Sequence, residues 1–385
     1  MKNISILGST GSIGKTTLKI IDKKKNILKP FLFLANKNYK SICKQIKKYS
    51  PNYFIITNEK IYLKVRKKFS KNKKTKILKN LNLLKLKKKT DITVTAIPGI
   101  EGLKPTIMAI QFSKKVLIAN KEAIICGWNL LKKNMIKYKT KIIPIDSEHF
   151  SVLKLLEKID YKEIKDIYIT ASGGPFLNYK LNQLKNIKPK DALKHPKWKM
   201  GKKISVDSAT LMNKVLEVIE AQKIFNLDKD KIKIIIHPES LVHALIELKN
   251  GLTYFIYHNN SMIIPIANAI FEKNFEIKKF IKFKKKVNYS DLSFTNPDSK
   301  KFPTINLLKE INKYHSAPII ISASNEILVD QFLRKNIDFL TIFRTIKAIM
   351  NDKNFKKYAI RKPLNINQII KIDNWARNLT INKIN

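Results

Sequence analysis

Ile4-Ser5-Ile6-Leu7-Gly8-Ser9-Thr10-Gly11-Ser12-Ile13-Gly14-Lys15-Thr16 decides how the first third of this chain folds. A short apolar strand runs into glycines spaced three apart, and a helical pattern begins behind them. Such glycines let the chain turn tightly and let its backbone approach a diphosphate, whose charge would rest on the helix N-terminus. Turns of this kind also exist for packing alone. Lys15-Thr16 suggests a P-loop, but that motif needs four residues between its glycines. Gly8 and Gly14 have five between them, which excludes it.

Working outward, Phe31–Ala35, Tyr53–Thr57, Ile92–Ala96, Val116–Ala119 and Ile142–Ile145 read as further strands separated by lysine-rich amphipathic helices. Strands alternating with helices predict a parallel sheet wrapped by helices, a Rossmann-like α/β domain over 1–146. Beyond Ser147 the pattern changes. A helix, a strand at Ile167–Thr170, a Gly-Pro loop and a polar stretch to about Ser205 lead to a helix from Ala209 to Phe225, with Ser208 as its expected N-cap. A strand at Lys233–Ile236 and two alternating runs joined by Asn250-Gly251 complete an α+β domain over 147–272. Residues 273–297 read as a connector. The remainder, 298–385, reads as a helical bundle, with helices at Thr304–Tyr314, Asn325–Lys335, Thr341–Met350 and Asn365–Asn378.

The 385 residues, 44% of them hydrophobic, suffice for two or three cores. No apolar run reaches the length of a membrane helix; Met262–Phe271 is interrupted by Pro265. Two cysteines, Cys43 and Cys126, speak against a disulfide scaffold and for a reducing, cytoplasmic setting. With 77 Lys+Arg against 29 Asp+Glu the net charge is +48. A nucleic-acid binder is one reading of that number. Scattered lysine runs (23–25, 71–76, 85–89, 282–286), an excess of Asn and Ile, and no zinc knuckle or RNP-type strand favour compositional drift. Specific nucleic-acid binding is therefore not expected, though a basic surface still attracts phosphorylated substrates.

Three further patterns carry chemistry. The second strand ends in Asn36-Lys37-Asn38, with a cation where NAD-binding domains place a carboxylate for the ribose hydroxyl, so NADP(H) fits better. Asp146-Ser147-Glu148-His149 follows the last strand of the first domain. Two carboxylates two residues apart in an extended segment face the same way and suit Mg²⁺ or Mn²⁺, yet the same pattern is common in solvated loops. Finally, His195-Pro-Lys-Trp198-Lys-Met200-Gly201-Lys runs into Ser205–Glu217. Ser208, Asn213 and Lys214 near a helix N-terminus make a phosphate cradle, with Glu217 on the same helical face. An ordinary Lys–Glu helix pair accounts for that spacing too. Trp198 and Met200 in a polar, glycine-flanked loop read as a mobile lid or as a satellite core anchor.

In this order, Gly8–Gly14, Ala119-Asn-Lys-Glu122, Asp146–His149, Ala171-Ser-Gly-Gly-Pro-Phe176, His195–Lys202, Ser205–Glu217 and Ser324-Asn325-Glu326 resemble the deoxyxylulose-phosphate reductoisomerase family over essentially the whole chain. The resemblance implies cofactor contacts at Thr10, Gly11, Ser12, Ile13, Asn36, Lys37, Asn38, Asn120, Glu122 and Gly201. It implies metal ligands at Asp146, Glu148 and Glu217. Substrate contacts are implied at Lys121, Ser147, Glu148, Ser172, His195, Trp198, Met200, Ser208, Asn213, Lys214 and Glu217. Lys121, Asp146, Glu148 and Glu217 form the implied catalytic set. The activity implied is skeletal rearrangement of a small sugar phosphate followed by reduction with NADPH, in a homodimer. Departures from the family pattern fall at Asn36 (usually Gly), Glu101, Phe150 and Ser261-Met262-Ile263. Asn36 is expected to tolerate a positive φ in glycine's place. The rival within enzymes is a plain NADP dehydrogenase, which has no need of three carboxylates.

Overall fold

The computed structural model describes residues 1–84, 86, 88–198, 200–281 and 292–384. Lys199 of the expected lid, the lysine run at 282–286 and the central part of the connector lie outside them.

In chain order the elements are β1 (Lys2–Leu7), α1 (Ser12–Lys23), β2 (Leu28–Ala35), α2 (Tyr39–Tyr49), β3 (Tyr53–Ile56), α3 (Glu59–Lys68), β4 (Lys76–Leu78), β5 (Thr90–Thr95), α4 (Leu103–Phe112), β6 (Ser113–Ile118), α5 (Lys121–Tyr138) and β7 (Lys141–Pro144). There follow α6 (Ser147–Leu156), β8 (Ile164–Ala171), α7 (Pro189–Ala192), α8 (Lys202–Ala209), α9 (Met212–Phe225), β9 (Ile232–Ile236), β10 (Val242–Leu248), β11 (Thr253–Tyr257) and α10 (Ile263–Phe271). The chain ends in α11 (Leu307–Ile311), α12 (Ala317–Leu333), α13 (Phe339–Met350), α14 (Phe355–Ala359) and α15 (Ile366–Ile384). These elements form two compact units.

The first unit is built on a parallel sheet ordered β4-β3-β2-β1-β5-β6-β7. Strand order reverses between β1 and β5, and in open α/β sheets ligands bind outside the carboxyl ends at such a point. Ile4, Ile6 and Leu7 are fully buried, as strands covered on both faces require. α1 turns Leu18, Ile20 and Ile21 inward. α10 belongs to this unit and packs on α1. The Lys115 ammonium pins its C-terminal end, donating to the Ala269 carbonyl at 2.9 Å and to Glu272 at 2.8 Å. Pro265, in the first turn of α10, needs no intrahelical partner for its missing N–H, so the apolar run stays helical.

The second unit has a mixed sheet ordered β11-β10-β8-β9, parallel only between β8 and β9. Its buried face (Ile167, Ile169, Ile234, Ala244, Ile246) packs against α9 through Val218, Ala221 and Phe225. In the C-terminal helices α12 is buried almost all round and packs on α13 and α15. Arg377 on α15 joins Glu326 on α12 at 2.5 Å while also holding Asp373 at 2.6 Å.

Several expectations need correction. The helix expected from Ala209 is broken: α8 ends at Ala209, Leu211 takes a left-handed φ of 57°, and α9 starts at Met212. Ser208 therefore lies in the last turn of α8 and caps nothing. Asp146 and Glu148 do not share an extended segment, because α6 begins at Ser147 and places Glu148 in its first turn. Asn36 is not in the left-handed region, so its side chain costs no backbone strain there. β4 was hidden in a lysine run, and α12 starts at Ala317, where Pro318 opens a helix rather than breaking one.

Candidate active site

Within the first unit, Gly8 adopts φ 95°, and a Cβ there would lie 2.6 Å from the Ala96 carbonyl oxygen. The amides of Gly8 and Ser9 both donate to the Leu34 carbonyl at 2.9 Å, which sets the turn against β2. Gln45 of α2 locks it from below. Its Oε1 accepts from the Ser9 hydroxyl at 2.7 Å and its Nε2 donates to the Ser9 carbonyl at 2.9 Å. Sequence reasoning passed over Gln45, whose only signal is a polar residue on the buried face of α2. Gly11 precedes α1 without a side-chain cap, and the first turn holds no acidic residue, so its amides are open to an anion.

A cavity of about 530 Å³ extends from this turn along the carboxyl ends of the strands. Thr10, Gly11, Asn36, Thr57, Asn80 and Lys104 line it beside the apolar walls of Leu34, Pro98 and Met108. Glu101, one of the departures, faces the same space. Ser12 and Ile13 open α1; Lys37 and Asn38 are exposed beyond β2. Asn120 is 2% exposed and engaged in the fold: its Oδ1 caps α5 at the Ala123 amide (2.8 Å), and its Nδ2 donates to the carbonyls of Ile97 and Gly99. Glu122, also buried, follows in the first turn of α5.

Asp146 closes β7 in the same unit. The Lys121 ammonium stands 3.9 Å from its Oδ2, and His149 Nδ1 stands 3.3 Å from its Oδ1. The Ser147 hydroxyl donates to Glu148. Both carboxylates are half-buried, Phe150 is buried beside them, and each offers an oxygen to a hard cation.

The second unit holds the remaining groups. Glu217 on α9 is 1% exposed, accepts from the Asn213 amide and pairs with the Lys214 ammonium. The plain Lys–Glu helix pair is thus formed, but it is buried, and a buried carboxylate of this kind is costly without a task. Ser172, following β8, and Ser208, in α8, both stand at one end of the His195 ring, at 3.0 and 3.1 Å from its Nε2. Gly173 and Gly174 take φ of 78° and 67°, and a Cβ on Gly174 would come within 2.8 Å of the Ser208 carbonyl, so only glycine lets this loop reach α8. Burial, then the charge of Lys214, pushes the His195 imidazole down to about 4, and the ring is neutral at neutral pH. Asp207, the neighbour of Ser208, accepts from Lys203 at 2.8 Å and from Asn325 of α12 at 2.7 Å. That is the structural use of the Ser324-Asn325-Glu326 motif. Trp198 and Met200 are half-buried, Trp198 lies edge-on to His243 at 6.2 Å, and a Cβ on Gly201 would meet nothing within 4 Å.

A parallel sheet with a glycine turn at its switch point defines the class, an α/β protein of the dinucleotide-binding kind, here joined to an α+β and helical part. The chain belongs to the 1-deoxy-D-xylulose 5-phosphate reductoisomerase family. The family model of that description matches residues 4–127, its C-terminal domain model matches 142–225, and a DXP reductoisomerase C-terminal domain model matches 258–379. The reductoisomerase of Pelagibacter ubique (strain HTCC1062) is 44% identical, with 98% of each chain covered. That of Clostridium novyi (strain NT) is 40% identical over the full length of both. A crystal structure of DOX-P reductoisomerase in complex with NADPH, fosmidomycin and magnesium superposes with a TM-score of 0.90 at 30% identity, covering 100% of this chain and 98% of that one. The Zymomonas mobilis enzyme in complex with NADPH gives 0.87 at 29% identity, covering 100% and 99%.

Proposed function

We propose that this chain converts 1-deoxy-D-xylulose 5-phosphate to 2-C-methyl-D-erythritol 4-phosphate with NADPH and Mg²⁺ or Mn²⁺, in non-mevalonate isoprenoid precursor biosynthesis. The observation that carries the reading is the pair of half-buried carboxylates of Asp146 and Glu148, oxygen donors suited to a hard divalent ion, in a first unit built for a dinucleotide; the buried Glu217 of the second unit is the proposed third donor. Hydride transfer alone needs no such donors. When bound, the ion supplies positive charge to substrate oxygens as the skeleton rearranges, and NADPH supplies the hydride. Lys121, held toward Asp146, offers its ammonium to developing oxyanion charge. Ser172, Ser208, Asn213 and Lys214 hold the phosphate away from the reacting carbons, while Trp198 and Met200 shut out water from above. The test is loss of NADPH absorbance on adding 1-deoxy-D-xylulose 5-phosphate, with metal and after chelation. Undiminished turnover in the chelated enzyme, or none with metal present, overturns the reading.

The same reading assigns the cofactor's adenosine half to the cavity bounded by Asn36, with Thr10, Gly11, Ser12 and Ile13 along the diphosphate and Lys37 and Asn38 at the 2′-phosphate. Lys37→Ala is expected to weaken NADPH binding roughly 10-fold, the worth of one hydrogen bond to a charged group, and to leave NADH binding unchanged. Fluorescence titration with both cofactors reads this out; equal losses for the two would remove Lys37 from the 2′-phosphate.

A homodimer is part of the proposal, supported by β11. This edge strand exposes Tyr254 and Phe255 at 46% and 47%, beside Leu252 at 55%, and an antiparallel edge can pair with its own copy about a two-fold axis. Phe255→Lys should shift sedimentation from dimer toward monomer, and an unchanged dimer would place the interface elsewhere. No helix among the described residues is long and apolar enough to cross a membrane. Both cysteines are buried and neither is in a disulfide among the described residues, in keeping with the proposed cytoplasmic setting.

A further inference from the structure

The imidazole of His195 makes contacts at both ring nitrogens, and together they determine where its single proton sits. Nδ1 accepts from two backbone amides, Lys197 N at 3.2 Å and Trp198 N at 2.9 Å. A nitrogen that accepts two N–H groups carries no proton, so the neutral ring carries it on Nε2. Nε2 in turn faces the hydroxyls of Ser172 and Ser208 at 3.0 and 3.1 Å. Ser172 Oγ already accepts from the Gly174 amide at 3.2 Å.

A serine hydroxyl has one proton to give, and its direction depends on what its oxygen receives. With the proton on Nδ1, the single lone pair of Nε2 would draw a hydroxyl proton inward, leaving a lone pair of that serine facing the ligand. With the proton on Nε2, the ring has no acceptor at that end, its one N–H is shared between the two serine oxygens, and neither hydroxyl can give its proton to the ring. An anion needs donors. We propose that His195 is a positioning residue, held as its Nε2–H tautomer by the amides of Lys197 and Trp198, that turns the Ser172 and Ser208 hydroxyls outward as donors to the substrate's phosphate. The depressed basicity of the ring agrees with this, since a second proton on Nδ1 would break both amide bonds. The backbone that leads into the proposed lid is thereby tied to the cradle through one ring. The inference rests on the proposed role of Ser172 and Ser208 as phosphate ligands.

Two measurements test it on the whole enzyme. Nitrogen-15 spectra of histidine-labelled protein, with His195→Asn used to assign the signal, should show Nδ1 bare and Nε2 protonated at neutral pH. Inorganic phosphate, as a competitor of the sugar phosphate, should then be compared in wild type and His195→Asn. The Asn Oδ1 keeps an acceptor for the two loop amides but offers no proton in the Nε2 position. The expected result is roughly 10-fold weaker phosphate competition and a similar rise in KM with kcat changed far less, the loss of hydrogen-bond donation to a charged group. An Nδ1–H or doubly protonated ring in the wild type overturns the proposal, as does equal phosphate competition in the two proteins. Phosphate that fails to compete even in the wild type instead overturns the cradle reading on which it stands.

Discussion

Gly14→Ala is expected to abolish NADPH binding at concentrations that saturate the wild type, while the protein remains folded. A Cβ on Gly14 would lie 2.4 Å from the Gly8 carbonyl oxygen and 2.7 Å from both Cα and the carbonyl carbon of Ser9. All three are backbone atoms, so no side-chain rotation relieves the contact. The turn cannot yield cheaply either: Gly8 and Ser9 are both bonded to the Leu34 carbonyl, and Ser9 is bonded twice to Gln45. Overpacking of this kind costs about 1–3 kcal/mol in stability, which a domain of this size survives. Displacing the turn by about 1 Å moves every amide proposed to meet the diphosphate and costs on the order of 100-fold or more in function. Gly11→Ala is the contrast, because its Cβ meets only the Gly8 oxygen, at 3.4 Å. That variant keeps the fold unstrained, and any loss of NADPH binding reports the ligand's own space. Fluorescence titration with circular dichroism as the fold control decides it; wild-type affinity in Gly14→Ala would reduce this turn to a packing device.

What the sequence made legible follows the range of the interactions. The Gly8–Gly14 turn and most strands of the parallel sheet were readable because strand, turn and helix are adjacent in the chain and each has its own period. β4 was not, since Lys76-Ile77-Leu78 lies in a lysine run whose surface character masks two apolar residues. The break at Leu211 was unreadable for a different reason. Ala209 to Phe225 holds no Gly or Pro to mark a break, and the left-handed residue sits where Thr304 donates its hydroxyl to the Thr210 carbonyl from far along the chain. Asp146, Glu148 and Glu217 could be singled out by residue type and spacing, but spacing alone left a solvated loop and a surface helix pair open. Burial of Glu217 excludes the surface pair. The direction of the Ser172 and Ser208 hydroxyls was beyond any sequence pattern, because it depends on a ring proton set by two amides of a loop.

Glu217→Gln is expected to weaken Mn²⁺ binding by roughly 100-fold, about 2.7 kcal/mol, and to lower kcat by roughly 100- to 1,000-fold. Under the proposed assignment Glu217 is the third oxygen donor alongside Asp146 and Glu148, and the substitution keeps its shape while removing its charge. The glutamine oxygen can still accept from Asn213, so that bond survives. The pairing with Lys214 does not. Losing one member of a buried ion pair costs about 3–5 kcal/mol, so a lowered Tm without metal says nothing about ligation. The discriminating readout is the metal's own effect on stability. An ion present at about 100 times its Kd stabilises the protein that binds it by about 2.7 kcal/mol. Mn²⁺ should therefore raise the Tm of the wild type and leave that of Glu217→Gln nearly unmoved at the same concentration, with NADPH binding equal in both. A kcat loss larger than the KM change would follow, because the charge acts on oxygens that become negative only as the skeleton rearranges. Equal Mn²⁺-induced Tm shifts in the two proteins, with equal turnover, would make Glu217 a structural partner of Lys214 and leave the ion to other ligands.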